Sequence, residues 1–207
     1  MDTRGGSVRL FENDWLERLS RVHPITPLLL WAPVIVWLLW RAVVVHRMEP
    51  GVLVELAVAG VVVWTLTEYV IHRFLFHHRA RSTVGARLVF VVHGIHHASP
   101  DDPMRLVMPP VPAIVASAAF FAMFRALLGS PSVEPFFAFF LMGYLAYDYV
   151  HLAVHRVHPR TRIGRFLRRW HMQHHHVTPE ARWGVSSPMW DHVFRTTGRT
   201  VTAARPR

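Results

Sequence analysis

The sequence predicts an all-α integral membrane protein, in which four transmembrane helices form two hairpins under a histidine-rich helical cap on the cytoplasmic side. Three features of the chain indicate this fold. Four apolar stretches each approach the roughly 20 residues that a helix needs to cross a bilayer. Short links with glycine or proline join these stretches in pairs. Arginines collect on one side of the topology that results. A soluble protein of 207 residues would have too little polar chain to cover four such helices.

The first segment, residues 1–27, is predicted to lie in the cytoplasm, ahead of the first span. It lacks the apolar run and the cleavage site of a secretory signal. Phe11, Trp15, Leu16 and Leu19 share helical spacing, with charged residues between them. This pattern is typical of an amphipathic helix in the membrane interface, and it fits a short helix packed on the domain equally well.

The four apolar stretches predict the spans in chain order. They cover about residues 27–45, 51–71, 106–124 and 133–155. The links at 47–50 and 129–132 are short enough for tight helix–helix connections. The first two spans therefore form one hairpin, and the last two form another.

Arginine sets the predicted orientation, because all 23 basic residues are arginine. If the N-terminus is cytoplasmic, residues 1–27, 72–108 and 156–207 place twenty arginines on that side. The opposite side then holds three, which are Arg41, Arg47 and Arg125. Cytoplasmic segments of membrane proteins carry this kind of excess, so both termini and the segment between the hairpins are predicted to be cytoplasmic. The net charge of +10 is explained in this way and does not indicate a nucleic-acid partner.

Ten of the sixteen histidines fall into four clusters with the spacing of metal ligands. The clusters read HRFLFH, HGIHH, HLAVH and HMQHH, and they contain His72, His77, His93, His96, His97, His151, His155, His171, His174 and His175. Residues three or four apart share a helix face, so three of the clusters can present their imidazoles together. The five-residue spacing of His72 and His77 requires a fraying helix end or a bulge. A tetrahedral site takes about four ligands, so ten histidines predict two metal ions with about five each.

The predicted topology brings all four clusters to the boundary between the membrane and the cytoplasm, a position that suits a lipid substrate. The chain has no cysteine, so thiolate sites and iron–sulfur clusters are excluded. Nitrogen and oxygen ligands suit iron, zinc, copper or manganese. The sequence also lacks the G-x-S-x-G motif of serine hydrolases and the HExxH motif of zinc proteases. Two redox metals that bind O2 between them can oxidise an unactivated C–H bond, as they do in soluble di-iron bundles.

Three acidic residues lie near the histidine clusters in sequence: Glu68, Asp148 and Asp191. Metal-bound histidine usually donates its other N–H to a carboxylate or a carbonyl. These acids are therefore expected to accept hydrogen bonds from the ligands. Pairing with a nearby arginine is the alternative for Glu68 and Asp148.

The sequence around the clusters resembles the fatty acid hydroxylase superfamily, and within it the fatty acid 2-hydroxylase branch. The resemblance covers about residues 68–196. Its motifs are EYVIHRFLFH, HGIHHASPDDPMRLVMPP, GYLAYDYVHLAVH and HMQHHHVTPEARWGVSSPMWDHVFRT. The RLVMPP and YDxxH elements favour this branch over the sterol branch. His176 stands where an aromatic residue is common in the family.

The resemblance implies a di-iron centre that inserts one oxygen from O2 at C2 of a long acyl chain, free or in a sphingolipid-type lipid. It implies that the ten clustered histidines are the ligands and that Tyr147 and Asp148 line the site. Electrons would come from a separate cytochrome b5-like or ferredoxin donor, because residues 1–27 are too short for the cytochrome b5 domain of many family members. The chain then divides into an N-terminal segment (1–27), a membrane-bound hydroxylase domain (28–196) and a polar tail (197–207).

Two other functions fit the same residues. One is a hydroxylase or desaturase of a sterol, a carotenoid or another isoprenoid. The other is a non-catalytic membrane protein with structural metal, whose sites would be closed, whereas a catalytic site keeps an open position. Zinc is expected to compete with iron in the purified protein, because histidine binds zinc at least as readily as Fe(II).

Overall fold

The architecture comes from a computed structural model, which describes residues 9–198. In this range the α-helices are α1 (Asp14–Ser20), α2 (Thr26–Trp40), α3 (Pro50–Val70), α4 (Thr83–Val89), α5 (Ile95–Ala98), α6 (Pro110–Leu128), α7 (Val133–Arg156), α8 (Arg162–His176) and α9 (Met189–Val193). Three π-helical turns continue α2, α3 and α4, at Arg41–Val45, Ile71–Phe76 and Phe90–Gly94. Most of the predicted polar tail, and the first eight residues of the N-terminal segment, lie outside the described residues.

Four segments of the described chain are long and apolar enough to cross a membrane. They are Thr26–Val45, Pro50–Phe76, Pro103–Leu128 and Val133–Arg156. The predicted all-α fold with four membrane helices is thus confirmed. The helix of the third span, α6, begins at Pro110, whereas the predicted apolar stretch begins at residue 106. Proline fits the first turn of a helix but not its interior, so Pro109 and Pro110 set this start and residues 106–109 are irregular.

Helix α7 lies at the centre of the bundle, where α2, α3 and α6 all pack against it. Of the residues in the most apolar stretch of α7, 61% are buried, whereas in the other three spans the buried share is 11–22%. Close contact between α3 and α7 depends on Gly60 and Gly143, since a Cβ on Gly60 would lie 2.4 Å from the Phe136 carbonyl oxygen. A Cβ on Gly143 would lie 2.6 Å from the Trp64 ring. Small residues let membrane helices approach closely in this way.

The outer faces of the other spans expose large apolar side chains. Leu29 and Val36 on α2, Val54 on α3, and Val115 and Leu127 on α6 are all more than 60% exposed. Soluble proteins rarely expose apolar surface on this scale. These faces suit lipid tails, as expected for an integral membrane protein.

Helix α1 packs on the bundle through a charged residue. Glu17 accepts a hydrogen bond from Arg105 at 2.9 Å, and both side chains are buried. By contrast, Trp15, Leu16 and Leu19 are exposed. The helix therefore combines the two arrangements left open by the sequence, because it is anchored to the domain while its apolar side chains point outward.

The two hairpins are joined by an ion pair at the end of the bundle away from the histidine clusters. Arg41 donates to both carboxylate oxygens of Glu134, at 2.8 and 2.9 Å. His46 Nε2 lies 3.3 Å from the same carboxylate. Such a bidentate pair fixes geometry as well as charge, so it sets the register of the first hairpin against the second.

Candidate metal centre

The histidine end of the bundle is built from helix ends and from the two helical segments that cover them. His72 and His77 lie in and just after the π-helical turn Ile71–Phe76 that continues α3. A π-helix has a wider turn than an α-helix and often marks functional sites. The five-residue spacing allowed a fraying helix end or a bulge; this turn is the bulge, and both imidazoles belong to the same histidine group.

The other three clusters come from ordinary helical spacing. His93, His96 and His97 lie where the π-turn after α4 runs into α5. His151 and His155 end α7, and α8 carries the last cluster in its final turns. Helix α8 starts cleanly because Thr161 Oγ1 accepts a hydrogen bond from the Gly164 N–H, which is a typical N-cap.

All ten clustered histidines come together in two groups of five. The first histidine group contains His72, His77, His93, His97 and His174. The second histidine group contains His96, His151, His155, His171 and His175. Within each group the nearest ring nitrogens all lie within 4.8 Å of one another. Each group draws on three or more segments of the chain, and the HxxHH clusters contribute to both.

The distances within each group match those between ligands of one metal ion. Neighbouring Nε2 atoms are 3.0–3.2 Å apart in the first group and 2.8–3.0 Å apart in the second. Two nitrogens that each lie about 2.1 Å from an ion, at right angles to each other, are about 3 Å apart. The spacing therefore suits a transition-metal ion at the centre of each group.

Hydrogen bonds at the far side of three rings fix their tautomers. His72 Nδ1 lies 2.5 Å from the Trp183 carbonyl oxygen, and His174 Nδ1 lies 2.7 Å from that of Ala181. His151 Nδ1 lies 2.9 Å from the Leu106 carbonyl oxygen. A carbonyl oxygen only accepts, so each Nδ1 carries the proton and each Nε2 presents a lone pair.

Those Nε2 lone pairs point at other imidazole nitrogens. In each group these lone pairs converge with the other ring nitrogens of the same group, which is the arrangement that the ligands of one cation adopt. The donor set is neutral imidazole with no thiolate, which suits iron or zinc. The residues present therefore fit a pair of such ions.

Burial keeps these imidazoles uncharged. It lowers the pKa of His77 to about 4, and it lowers the pKa values of His97 and His174 to about 3. An imidazole in low-dielectric surroundings disfavours its charged form. At neutral pH these side chains are therefore in the state that binds a metal.

A small cavity of about 30 Å³ lies against both groups. Its polar lining includes His93 from the first group, and His96 and His151 from the second. Tyr147 and Asp148 also line it, and the Tyr147 ring stacks on His151 with centroids 5.8 Å apart. The Tyr-Asp pair thus lies beside histidines of both groups.

The sequence predicts that nearby acidic side chains accept hydrogen bonds from the clustered histidines. For His72, His151 and His174 this prediction is wrong, because their Nδ1–H groups donate to backbone carbonyl oxygens. Glu68 instead accepts from the Val185 N–H at 2.6 Å and from the Ser186 N–H at 2.9 Å. Asp191 accepts from the Trp183 and Gly184 N–H groups. Glu68 thus bonds to backbone N–H groups and a serine hydroxyl, and not to an arginine as the alternative prediction had it. Helical periodicity could not predict these contacts, because residues 181–186 are irregular.

The remaining histidines lie outside the two groups. His176 is exposed and belongs to neither group, whereas its neighbour His175 belongs to the second. His46 lies beside the Arg41–Glu134 pair. His23 Nδ1 accepts from the Ile25 N–H at 3.2 Å, at the start of α2.

Comparison with known proteins agrees with this geometry. Residues 57–196 match the fatty acid hydroxylase family. A dihydroceramide fatty acyl 2-hydroxylase from Arabidopsis thaliana is 33% identical over 96% of this chain and 82% of its own length. The fatty acid 2-hydroxylase of Rattus norvegicus is 34% identical over 91% of this chain. The ceramide very long chain fatty acid hydroxylase of Saccharomyces cerevisiae is 36% identical over 92% of this chain.

The match spans 56% of the rat protein and 50% of the yeast protein. A solved structure of full-length Scs7p, in which only the hydroxylase domain is visible, superposes with a TM-score of 0.87 at 36% identity. That superposition covers 93% of this chain and 72% of the solved one. Sequence, fold and the clustered histidines thus agree, and the chain belongs to the fatty acid hydroxylase family.

Proposed function

We propose that the protein is an oxygen-dependent di-iron enzyme that inserts a hydroxyl group at C2 of a long fatty acyl chain, free or in a sphingolipid-type lipid. The observation that carries the proposal is the pair of five-histidine groups at one end of an apolar helical bundle. The relatives support the choice of substrate and carbon, because they are named as fatty acid 2-hydroxylases and ceramide hydroxylases. Those names favour an acyl chain over the sterol, carotenoid or isoprenoid alternative.

The ten clustered histidines are proposed as the metal ligands, five in each group. When bound, a pair of iron ions supplies the redox chemistry that activates O2 for insertion into a C–H bond. The residues of this chain then have three tasks. The carbonyl-bonded histidines stay in the tautomer that ligates, the apolar wall of the cavity keeps water away, and Tyr147 and Asp148 contact the polar head of the acyl chain.

The histidine end of the bundle is proposed to face the cytoplasm. The support is the twenty-to-three division of arginine between the two sides of the topology. Electrons would then come from a soluble or membrane-anchored cytochrome b5-like or ferredoxin protein on that side. The substrate would reach the centre from the bilayer, because exposed apolar side chains surround the spans.

Lipid mass spectrometry of cells that express the chain tests this function. The wild-type protein should add 2-hydroxy acyl lipids, while His97→Ala and His174→Ala, which each remove one proposed ligand, should add none. His158→Ala is the matched control, because His158 is exposed and belongs to neither group. All three variants should stay in the membrane fraction, since the apolar spans are unchanged. Native hydroxylation with full metal content in either ligand variant would refute the ligand assignment.

A further inference from the structure

One irregular segment lies against the first histidine group. The 181–186 segment supplies the Ala181 and Trp183 carbonyl oxygens that accept from His174 and His72. The Trp183 ring also packs on the same group, with its centroid 4.8 Å from that of His77 and 5.3 Å from that of His174. The segment therefore orients ligands at two points and covers a third.

Two buried acidic side chains accept hydrogen bonds from this segment. Glu68, on α3, accepts from the Val185 and Ser186 N–H groups and from the Ser186 hydroxyl. Asp191, on α9, accepts from the Trp183 N–H at 2.9 Å and the Gly184 N–H at 2.8 Å. Glu68 is 4% exposed and Asp191 is 0% exposed. Together they accept hydrogen bonds from four consecutive backbone N–H groups, those of residues 183–186, so these two side chains set the path of the segment.

The second histidine group is held differently. Within the described part of the chain its one carbonyl partner is the Leu106 oxygen, which accepts from His151 and lies in a separate part of the sequence. The Nδ1 atoms of His96, His171 and His175 are buried and have no hydrogen-bond partner among residues 9–198. The 181–186 segment thus orients one group and not the other.

We propose that Glu68 and Asp191 are positioning residues for the metal ion of the first histidine group alone. They act through the 181–186 segment, which fixes the rings of His72 and His174. This inference rests on the proposed two-metal centre. Loss of an outer hydrogen-bond partner of a ligand typically weakens metal binding by about 10–100-fold, so loss of either carboxylate should weaken one metal site by about that factor and leave the other unchanged.

Titration of the full-length, metal-free protein with Co²⁺ tests the inference, with visible absorption and metal analysis as readouts. The wild-type protein should bind two ions tightly. Glu68→Ala should bind one ion tightly and the other about 10–100-fold more weakly. Glu68→Gln should recover most of the loss, because its amide oxygen still accepts the two backbone N–H groups. Glu55→Ala is the matched control, since it makes the same change at an exposed acidic side chain on the same helix, and it should bind both ions as the wild type does.

Ligand variants identify which ion is affected. In a His155→Ala/His171→Ala background, only the first group remains intact, and Glu68→Ala should weaken its Co²⁺ binding. In a His77→Ala/His97→Ala background, Glu68→Ala should change nothing. If Glu68→Ala does not fold, Asp191→Asn carries the test. The two oxygens of Asp191 each accept one backbone N–H, from Trp183 and from Gly184. An amide of the same volume therefore loses one of these two acceptors.

Equal weakening of both groups, or unchanged binding at both, would overturn the inference. A merely structural role would lower the unfolding midpoint without a preference between the ions. Co²⁺ stoichiometry does not depend on lipid turnover. A wild type that binds two ions but hydroxylates no lipid would therefore refute the proposed function and leave this inference standing.

Discussion

Gly60→Ala is expected to disrupt both the packing of α3 on α7 and the activity of the enzyme. A Cβ at this position would lie 2.4 Å from the Phe136 carbonyl oxygen, about 1 Å closer than the 3.4 Å at which ordinary contact begins. It would also lie 3.1 Å from the Phe139 Cβ and from the Phe140 backbone nitrogen. The nearest atom belongs to a helix backbone, so no side chain can rotate away and the helices must separate.

The cost of that separation can be bounded. Extra atoms forced into a packed core typically cost about 1–3 kcal/mol, and a rigid backbone contact belongs at the upper end. The higher helix propensity of alanine returns up to about 1 kcal/mol. A net loss of about 1–2 kcal/mol in the free energy of unfolding follows. Activity should be affected more than stability, because α3 leads directly into the π-turn that carries His72, and α7 carries His151 and His155.

Unfolding in mixed micelles with increasing denaturing detergent measures the stability, and product formation measures the activity. Gly51→Ala is the matched control on the same helix, because a Cβ there would meet nothing within 4 Å. It should unfold at least as late as the wild type. If Gly60→Ala is as stable and as active as Gly51→Ala, the close approach of α3 and α7 is not what sets the geometry of the histidine groups.

Two further predictions concern topology and the N-terminal helix. Because the chain has no cysteine, single cysteines introduced near Arg87 and near Gly129 can be labelled with an impermeant reagent in sealed vesicles, and the two should label from opposite sides. Labelling from the same side would contradict the proposed topology. Glu17→Gln should release α1, since breaking a buried ion pair typically costs about 3–5 kcal/mol, and trypsin should then cleave after Arg18 about tenfold faster or more. Glu12→Gln, which changes an exposed acid, should leave cleavage unchanged, and equal rates in the two variants would show that the Glu17 carboxylate does not anchor α1.

Much of the fold could be predicted from the sequence because its signals are local. Span length and the glycine and proline links define the two hairpins without any long-range information. The spacing of the histidines fixes which of them share a helix face. The spacing of His72 and His77 indicates a fraying helix end or a bulge, and the Ile71–Phe76 π-turn is the bulge.

The supporting contacts could not be predicted, because they join distant and irregular parts of the chain. Glu68 meets Val185 at a separation of 117 residues, and nothing in the 181–186 segment has a period that shows where its N–H groups point. Glu17 is one of the charged residues between the apolar positions of α1, and no local pattern shows that it accepts a hydrogen bond from Arg105, 88 residues away. The division of ten histidines into two groups follows from three-dimensional packing, since each HxxHH cluster contributes to both.

The most direct measurement of the central proposal is reconstitution of the metal-free protein with iron or with zinc. Zinc lies above Fe(II) in the order of binding affinity, but it has no redox chemistry, so it should fill the histidine groups without supporting turnover. Each sample receives a long-chain acyl substrate, a cytochrome b5- or ferredoxin-type donor with its reductant, and isotopically labelled O2. One labelled oxygen is expected at C2 of the product with iron, and no product is expected with zinc. Equal activity with zinc, or product oxygen that derives from water, would contradict the proposal.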